Sequence, residues 1–512
     1  MSIPDHAKRI LFPAKTQANF VNTISSALTK NLTELKKLLP SEDILTYAFE
    51  SADKTLCAIV YADGIVNKQL LGDLIARPLS KLALKNADLS ETIEKSALFP
   101  ELKTTDAVSD AIKEILDGNS LLLVDGTATG FIVGAKMLPC RAVAEPPTDV
   151  AVKGPREGFI EDIKTNMALV RKRLKTPDLR FETVRVGKRS DTAVTLCWLE
   201  NTSNPQVKEE IKAKLNQIDI DFIPDSSYIA AMLSPRKHSI FKNIGTTEKP
   251  DIFTAKLCEG RVGVLVDGSP IALTAPFLMT EDLQSSEDYF ISPFAATTFR
   301  LLRAISLFIA VFLPAFYISA QLFKIQILPL GLTLTILSSA RDIPLSPSLE
   351  IFIVLLLLEI LKEASTRMPK YVGMALSVVG ALVLGQTAVQ AGFFSTPAII
   401  IVAFSGICLY TVPNFVETGS LLRWLFLIAA GSIGPFGIVL LVAFLLYYLL
   451  SSDAYGTPPL APFSPLTPHD LRDTVVKYDM LSLKTRPKIF RSKNITRLKP
   501  PKPKQGETDY DA

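Results

Sequence analysis

The chain has 512 residues, of which 48% are hydrophobic, and its mean hydropathy of +0.29 is above the range of most soluble proteins. The formal net charge of +4 is too small to predict a nucleic-acid partner. The five cysteines have no paired spacing, which argues against a disulfide scaffold and predicts a reducing compartment.

The predicted fold class is an α+β soluble N-terminal half, made of two small α/β subdomains, followed by an α-helical polytopic membrane bundle. Changes in composition along the chain divide it further. The predicted segments are an extension at 1–40, a first cytoplasmic subdomain at 41–140, a linker at 141–156, a second cytoplasmic subdomain at 157–298, a membrane bundle at 299–452 and a basic cytoplasmic tail at 453–512.

Apolar runs broken by Asp-Gly recur in the soluble half. They predict three β-hairpins, at Asp63–Gly64, Asp125–Gly126 and Asp267–Gly268, because both residue types tolerate the positive φ of a tight hairpin turn. Apolar residues at helical spacing predict helices over 68–77 and 106–117. Each subdomain is therefore expected to combine helices and strands.

The second subdomain follows a linker that contains three prolines and one glycine. Apolar residues in 156–175 recur at spacings of three and four, which predicts a helix with one apolar face, and Asn166 lies on that face. The pattern fits both an ordinary amphipathic helix and a binding surface. Two strands around Gly187–Asp191 and a helix over 209–218 complete the predicted elements of this subdomain.

Long uncharged runs predict the membrane bundle. Stretches of 20, 46 and 29 residues without a charge follow Arg303, Lys370 and Arg423. Because a bilayer core of about 30 Å requires about 20 apolar helical residues, the second run is long enough for two spans. The predicted spans are 299–322, 371–394, 397–413 and 421–450, with short or re-entrant elements at 325–361. Four and six spans both fit, and glycine and proline at 431–437 predict a kink.

Basic residues predict the orientation of the bundle. Arg300 and Arg303 precede the first span, and ten Lys and Arg residues lie between Lys477 and Lys504. Since basic residues near membrane ends favour the cytoplasm, both termini are expected to be cytoplasmic, and the tail is expected to meet anionic lipid headgroups. The N-terminus shows no apolar core of a signal peptide.

Chemical motifs are scarce. The three histidines lie far apart, and the sequence lacks a GxxxxGK[ST] phosphate loop, a GxGxxG motif and a GxSxG elbow, so we expect no enzyme activity, metal or cofactor. Within the bundle, Glu359 and Glu363 share one helical face, and Glu350 lies about half a turn away. These acids fit either an interfacial helix or a cation path. Gln386 and Asn414 are uncharged candidates for the same bundle interior.

Segments along most of the chain resemble the A subunits of bacterial spore germinant receptors. The resemblance covers about residues 40–500. In the soluble half it rests on Pro155, Arg156 and Glu157 of GPREGF, on Asn166, on the basic run from Arg171 to Arg173, and on VGVLVDGSPIAL. In the helical half and the tail it rests on FRLLRAISLFIAVFLPAFYI, LEILKEASTRMP, GQTAVQAGFFSTP, VPN, PFSPLTP and RPKIFRSKN.

The resemblance implies a multi-pass protein of the spore inner membrane. Its expected partners are a transporter-like B subunit, a lipoprotein C subunit, membrane lipids and further copies of itself around a pore for monovalent cations. A related possibility within the family is an accessory channel subunit associated with dipicolinic acid release. If Glu359 faces a water-filled cation path, Glu359→Gln is expected to slow cation release at a normal protein level.

Overall fold

The computed structural model describes residues 23–84, 102–137, 153–236, 239–341, 343–369, 372–373, 378–380 and 382–498. In the described chain, the soluble half contains two five-stranded antiparallel sheets. The strands of the first sheet are β1 (Ile44–Glu50), β2 (Leu56–Ala62), β3 (Leu102–Thr105), β4 (Ser120–Val124) and β5 (Gly130–Val133). The strands of the second are β6 (Leu179–Val186), β7 (Thr192–Leu199), β8 (Gly245–Thr247), β9 (Val262–Val266) and β10 (Ala272–Ala275).

The strands β4, β5, β9 and β10 are buried along their whole lengths. Both faces of each sheet are therefore covered, and the helices of the soluble half pack against them. The helices of the first subdomain are α1 (Leu28–Leu38), α2 (Lys68–Leu71, continued through a π-helical turn at Gly72–Ala76 into Arg77–Ser80) and α3 (Val108–Asp117). Those of the second are α4 (Ile163–Arg173), α5 (Pro205–Asn216), α6 (Ser226–Leu233) and α7 (Pro250–Cys258).

The two subdomains repeat one fold. The strand orders β1-β2-β4-β5-β3 and β6-β7-β9-β10-β8 are the same topology, and the registers agree: Ser120 lies opposite Val133 in the first sheet, and Val262 lies opposite Ala275 in the second. Asn67 and Asn204 cap the helices that follow β2 and β7. We refer to the subdomains as the first and second repeat.

Side-chain hydrogen bonds confirm that the repeats are equivalent. The Asn31 amide both donates to and accepts from the backbone of Ser25 in the first repeat, and Asn166 does the same with Ile160 in the second. Asp125 accepts a hydrogen bond from the first N–H group of α1, and Asp267 accepts one from the first N–H group of α4. The buried Asn166 therefore has a structural role: it fixes the backbone before α4, as Asn31 does at α1 in the first repeat.

Two of the three predicted hairpins are confirmed. Asp125–Gly126 joins β4 to β5, and Asp267–Gly268 joins β9 to β10. The third prediction is wrong, because the chain after Asp63–Gly64 enters α2 and β2 pairs instead with β1 and β4. Asn67 accepts hydrogen bonds from the backbone of the first turn of α2, so the helix predicted over 68–77 begins directly after the turn and leaves only residues 65 and 66 for a returning strand.

The other helices and strands predicted for the soluble half are present with shifted boundaries, and the helix predicted over 209–218 is α5, Pro205–Asn216. Helices occupy the predicted segments 68–77 and 106–117, and β6 and β7 flank the predicted turn. The helix predicted over 156–175 begins only at Ile163, because Asp162 caps it by accepting a hydrogen bond from the Thr165 N–H. Of the predicted linker 141–156, residues 141–152 lie outside the described chain.

The second half of the chain is helical. Its main helices are α8 (Pro293–Phe323), α9 (Leu330–Ala340), α10 (Pro347–Arg367), α11 (Val383–Thr387, a π-helical turn, and Ala388–Gln390), α12 (Thr396–Tyr410), α13 (Val416–Ile433) and α14 (Pro435–Leu450). By length and composition, two described segments are able to cross a bilayer, Pro293–Phe323 and Pro413–Ile433. Parts of the predicted span 371–394 lie outside the described residues, and the number of spans stays a prediction.

The chain reverses at the position of the predicted kink. Gly434 has φ 71° and ψ −145°, a conformation that essentially only glycine adopts, and it separates α13 from α14. The Thr418 hydroxyl near the start of α13 donates to the Ile240 carbonyl, and Tyr448 near the end of α14 packs on Phe241. Residues 421–450 therefore form two antiparallel helices rather than one bent helix.

Candidate functional site

A charged cluster lies between α10 and α13, in the helical second half of the chain. Nη2 of Arg423 lies 2.5 Å from Oε1 of Glu359, and the Arg423 side chain is only 1% exposed. Lys362, one turn from Glu359, forms an ion pair with the same carboxylate and donates a 3.0 Å hydrogen bond to the Ser420 hydroxyl. Because Glu359 and Lys362 are three residues apart, as are Ser420 and Arg423, two matching helical faces meet here.

Arg423 also ties the cluster to two further helices. Its Nη1 donates to the Ser405 hydroxyl of α12 at 3.3 Å, and that hydroxyl donates to the Ala310 carbonyl of α8 at 2.7 Å. One guanidinium thus connects four helices of the apolar half. Removing Glu359 would strongly destabilise this arrangement, because the buried Arg423 guanidinium would then have no counter-ion.

The structure separates the other predicted bundle residues from this cluster. Glu350 is buried at the start of α10, where its carboxylate accepts a hydrogen bond from the Ser395 N–H. Glu363 is 60% exposed and pairs with Arg367 one turn further along the same helix. Gln386 and Asn414 are exposed. Only Glu359, of the five predicted residues, therefore takes part in the cluster.

Sequence analysis missed Arg423, the central residue of the cluster. It was used only as the boundary of the last uncharged run. The available signal was its spacing from Ser420, which repeats the spacing of Glu359 and Lys362, but pairing Glu359 with a residue 64 positions further along the chain requires the tertiary structure.

Arg171, one of the residues on which the family resemblance rests, holds the two repeats together. Nε and Nη2 of Arg171 donate to the two carboxylate oxygens of Asp43 at 2.7 and 2.9 Å, and both side chains are almost fully buried. The same guanidinium donates to the carbonyls of Thr176 and Leu179. Helix α4 also places Ala168 in the core of the first repeat. Its apolar face is therefore used within the chain and does not form an open binding surface.

Glu157 stabilises the far end of the same helix. Its carboxylate forms ion pairs with Lys172 at 2.7 Å and Arg173 at 2.8 Å. Burial alone would raise the pKa of Glu157, but the hydrogen bond and charge of Lys172, together with Arg173, outweigh burial and hold the pKa below its usual value. Pro155 is partly buried, and Arg156 lies at the surface.

A second charged cluster joins the soluble half to α8. Asp288 is fully buried and forms ion pairs with Arg300 at 3.0 Å and Arg303 at 2.8 Å. Burial raises the pKa of this carboxyl, but hydrogen bonds from Arg303, the Ser285 N–H and Arg300 outweigh that effect and lower the pKa. Arg300 also pairs with Asp473 of the C-terminal tail at 3.1 Å. Three parts of the chain therefore meet at the first helix of the bundle.

The described residues contain no group of three or more His, Cys, Asp and Glu side chains placed to hold a metal ion. The two clusters consist instead of basic and acidic side chains paired with each other. Such pairs position helices and respond to changes in local charge.

Comparison with known proteins places the chain in a family. Residues 30–489 match the family model described as Bacillus/Clostridium GerA spore germination protein. Spore germination protein KA of Bacillus subtilis (strain 168) is 32% identical over 471 residues, which cover 91% of this chain and 87% of the relative. Spore germination protein B1 of the same organism is 32% identical over 473 residues, with 91% and 97% covered.

A solved structure also matches the soluble half. It is the crystal structure of the N-terminal domain of the A subunit of the Bacillus megaterium spore germinant receptor GerK3, which is 31% identical to this chain. The match has a TM-score of 0.40 and covers 50% of this chain and 97% of the other. Since the family model spans most of the sequence and the relatives exceed 30% identity, this chain belongs to the GerA family of spore germination proteins.

Proposed function

We propose that the chain is the A subunit of a nutrient-responsive spore germinant receptor, an oligomeric complex of the spore inner membrane that starts germination by opening a path for monovalent cations. The observation that carries the proposal is the cluster of Glu359, Lys362 and Arg423 within an apolar helical half. Charged side chains at bilayer depth are costly and mark ion paths or gates. Membership of a family of spore germination proteins supports the biological setting.

In this proposal the cluster is a gate element. The carboxylate of Glu359 holds α10 against α13 while Arg423 neutralises it, so the pair favours a closed packing of the helices. A change in the relative position of the two helices separates the charges and admits water and cations between them. Glu350 would hold the start of α10 through Ser395, while the exposed Glu363, Gln386 and Asn414 remain available to line the path between neighbouring copies.

The proposed partners are a transporter-like B subunit, a lipoprotein C subunit, membrane lipids and further copies of this chain. Both termini are proposed to be cytoplasmic in a multi-pass topology. The packing of the tail supports this arrangement, because Arg486 donates to the Cys258 carbonyl and Lys493 to the Thr202 carbonyl of the second repeat. The soluble half and the described end of the chain then lie on one side of the membrane.

Ion release from spores tests the proposal. Spores that lack this chain should show strongly reduced K⁺ release after nutrients are added, and the later release of dipicolinic acid should fall with it. Restoring the chain should restore both. The measurement is simultaneous recording of K⁺ and dipicolinic acid in the medium. Normal K⁺ release with slow dipicolinic acid release would instead identify the chain as an accessory subunit for dipicolinic acid and contradict the receptor proposal.

A further inference from the structure

The two repeats differ in the course of the chain after their last strand, β5 in the first repeat and β10 in the second. In the first repeat, the segment after β5 crosses back over the end of α3. There the Met137 N–H donates to the Ile65 carbonyl at 2.8 Å, and Lys136 lies against Gly118, the glycine that ends α3. This short segment covers one end of the sheet and completes the repeat.

In the second repeat, the chain after β10 continues toward α8 instead. A segment of the C-terminal tail makes the equivalent contacts in the second repeat. The Lys493 N–H donates to the Thr202 carbonyl at 3.0 Å, and Ser492 lies against Gly260, the glycine that follows α7. Thr202 and Gly260 occupy the places that Ile65 and Gly118 occupy in the first repeat, because both repeats share one topology and register. The equivalence extends to the positive φ of both glycines, 99° and 104°.

We propose that residues 486–493, here named the strap, are a structural part of the second repeat, and that the attached strap couples this repeat to α8 during receptor activation. The second repeat thus contains a binding site for a short peptide segment with one 3-10 helical turn, Lys488–Phe490, and the chain's own C-terminal region is its occupant. The coupling role rests on the proposed function, whereas the binding site rests on the contacts alone.

The C-terminal tail is anchored at both ends. Before the strap, the Lys477 N–H donates to the Thr297 hydroxyl of α8, and Asp473 pairs with Arg300 of the same helix. At the strap itself, the Ser492 hydroxyl donates to the Glu259 carbonyl at 2.8 Å. Any movement of α8 relative to the second repeat is therefore transmitted through the tail as well as through the direct connection between β10 and α8.

Arg486 joins the strap to the second repeat through its side chain. Its Nε donates to the Cys258 carbonyl at the C-terminal end of α7, where a positive charge is favoured by the helix dipole. Its Nη1 donates to the carbonyls of Asn494 and Thr496 and so also binds the residues that follow the strap. By contrast, the Arg491 side chain is exposed and has no hydrogen-bond or ion-pair partner among the described residues.

The two arginines form a matched pair for the test. Arg486→Gln should slow nutrient-triggered K⁺ release from spores several-fold at a normal protein level, whereas Arg491→Gln should leave the rate unchanged. Both variants remove one positive charge from the same segment, so an effect on lipid binding alone would slow both equally. Equal effects, or a normal rate in the Arg486→Gln variant, would overturn the proposal.

A covalent link tests the same idea without weakening the fold. When Thr202→Cys and Lys493→Cys are joined by oxidation or by a short bifunctional maleimide, the linked receptor should release K⁺ at least as fast as its reduced form. Adding Arg486→Gln should then have no effect once the link is present. Loss of release on linking would show that the strap must detach, and would overturn the proposal. Absence of K⁺ release from the wild-type chain would instead refute the receptor function itself.

The first repeat supplies the control for the chemistry. The substitutions Ile65→Cys and Met137→Cys lie at the equivalent backbone contact, which is within the first repeat and does not involve α8. Linking them should leave K⁺ release unchanged in both the wild-type and the Arg486→Gln backgrounds. Rescue of Arg486→Gln by this control link would contradict a specific role for the strap.

Discussion

Spores that carry Glu359→Gln should contain little of the protein in their membranes. The substitution leaves the Arg423 guanidinium buried without its carboxylate, and removing one partner of a buried ion pair costs about 3–5 kcal/mol. An immunoblot of spore membranes measures the loss. The double variant Glu359→Gln, Arg423→Gln also removes the buried guanidinium and leaves only the partly exposed Lys362 without its carboxylate, so its protein level should recover in part while the attraction between α10 and α13 stays absent.

Glu363→Gln is the control for this experiment, because Glu363 lies on the same helix but its partner Arg367 is exposed to 79%. Exposed pairs contribute at most about 1 kcal/mol, so the protein level should not change. If Glu359→Gln protein were instead present at the normal level with slower cation release, Glu359 would face water. That result would favour a Glu359 that lines a cation path, as expected from the sequence, over a Glu359 that holds α10 against α13.

Asp43→Asn should strongly destabilise the soluble half. Arg171 is then left buried between the repeats with carbonyl acceptors but no counter-ion, at a cost of about 3–5 kcal/mol. The full-length protein in detergent should unfold at a clearly lower temperature than the wild type. The same variant should also weaken the packing of α4 on the first repeat, because Ala168 and Arg171 face that repeat together.

The duplication supplies a control at the equivalent position. Asp178 precedes β6 as Asp43 precedes β1, but it is partly exposed, and its carboxylate accepts a hydrogen bond from the Asn201 amide instead of pairing with a buried arginine. Asp178→Asn should therefore lower the unfolding temperature little. Equal effects of the two substitutions would show that the carboxylates act locally, before their strands, and not through the contact between the repeats.

Local signals in the sequence predicted much of the soluble fold. The Asp-Gly turns at Asp125 and Asp267 and the helix-period segments are short-range patterns, and the structure confirms them. Asp63–Gly64 failed because the deciding residue is Asn67, a helix cap that lies three residues beyond the glycine. The duplication escaped notice because the two repeats share few identical residues, among them Asn31 and Asn166, whose amides fix the backbone before α1 and α4.

The charged clusters were predictable only in part. Hydropathy and helical spacing placed Glu359 on a face of an apolar segment, but its partner Arg423 lies on another helix and is brought near only by packing. The tail shows the same limit. Its basic composition predicted contact with lipid headgroups, whereas the charged side chains of Arg486 and Lys493 donate to the Cys258 and Glu200 carbonyls of the second repeat. The composition of the tail gives its net charge, but only the tertiary contacts show which groups its basic side chains bind.

Ion flux through the purified receptor in liposomes tests the central claim most directly. Liposomes loaded with K⁺ and containing this chain together with its B and C subunits should release K⁺ when nutrient is added, and liposomes with B and C alone should not. The claim also requires that flux change in the double variant Glu359→Gln, Arg423→Gln, whose gate element is absent. Nutrient-dependent K⁺ flux that is the same with and without this chain would contradict the account.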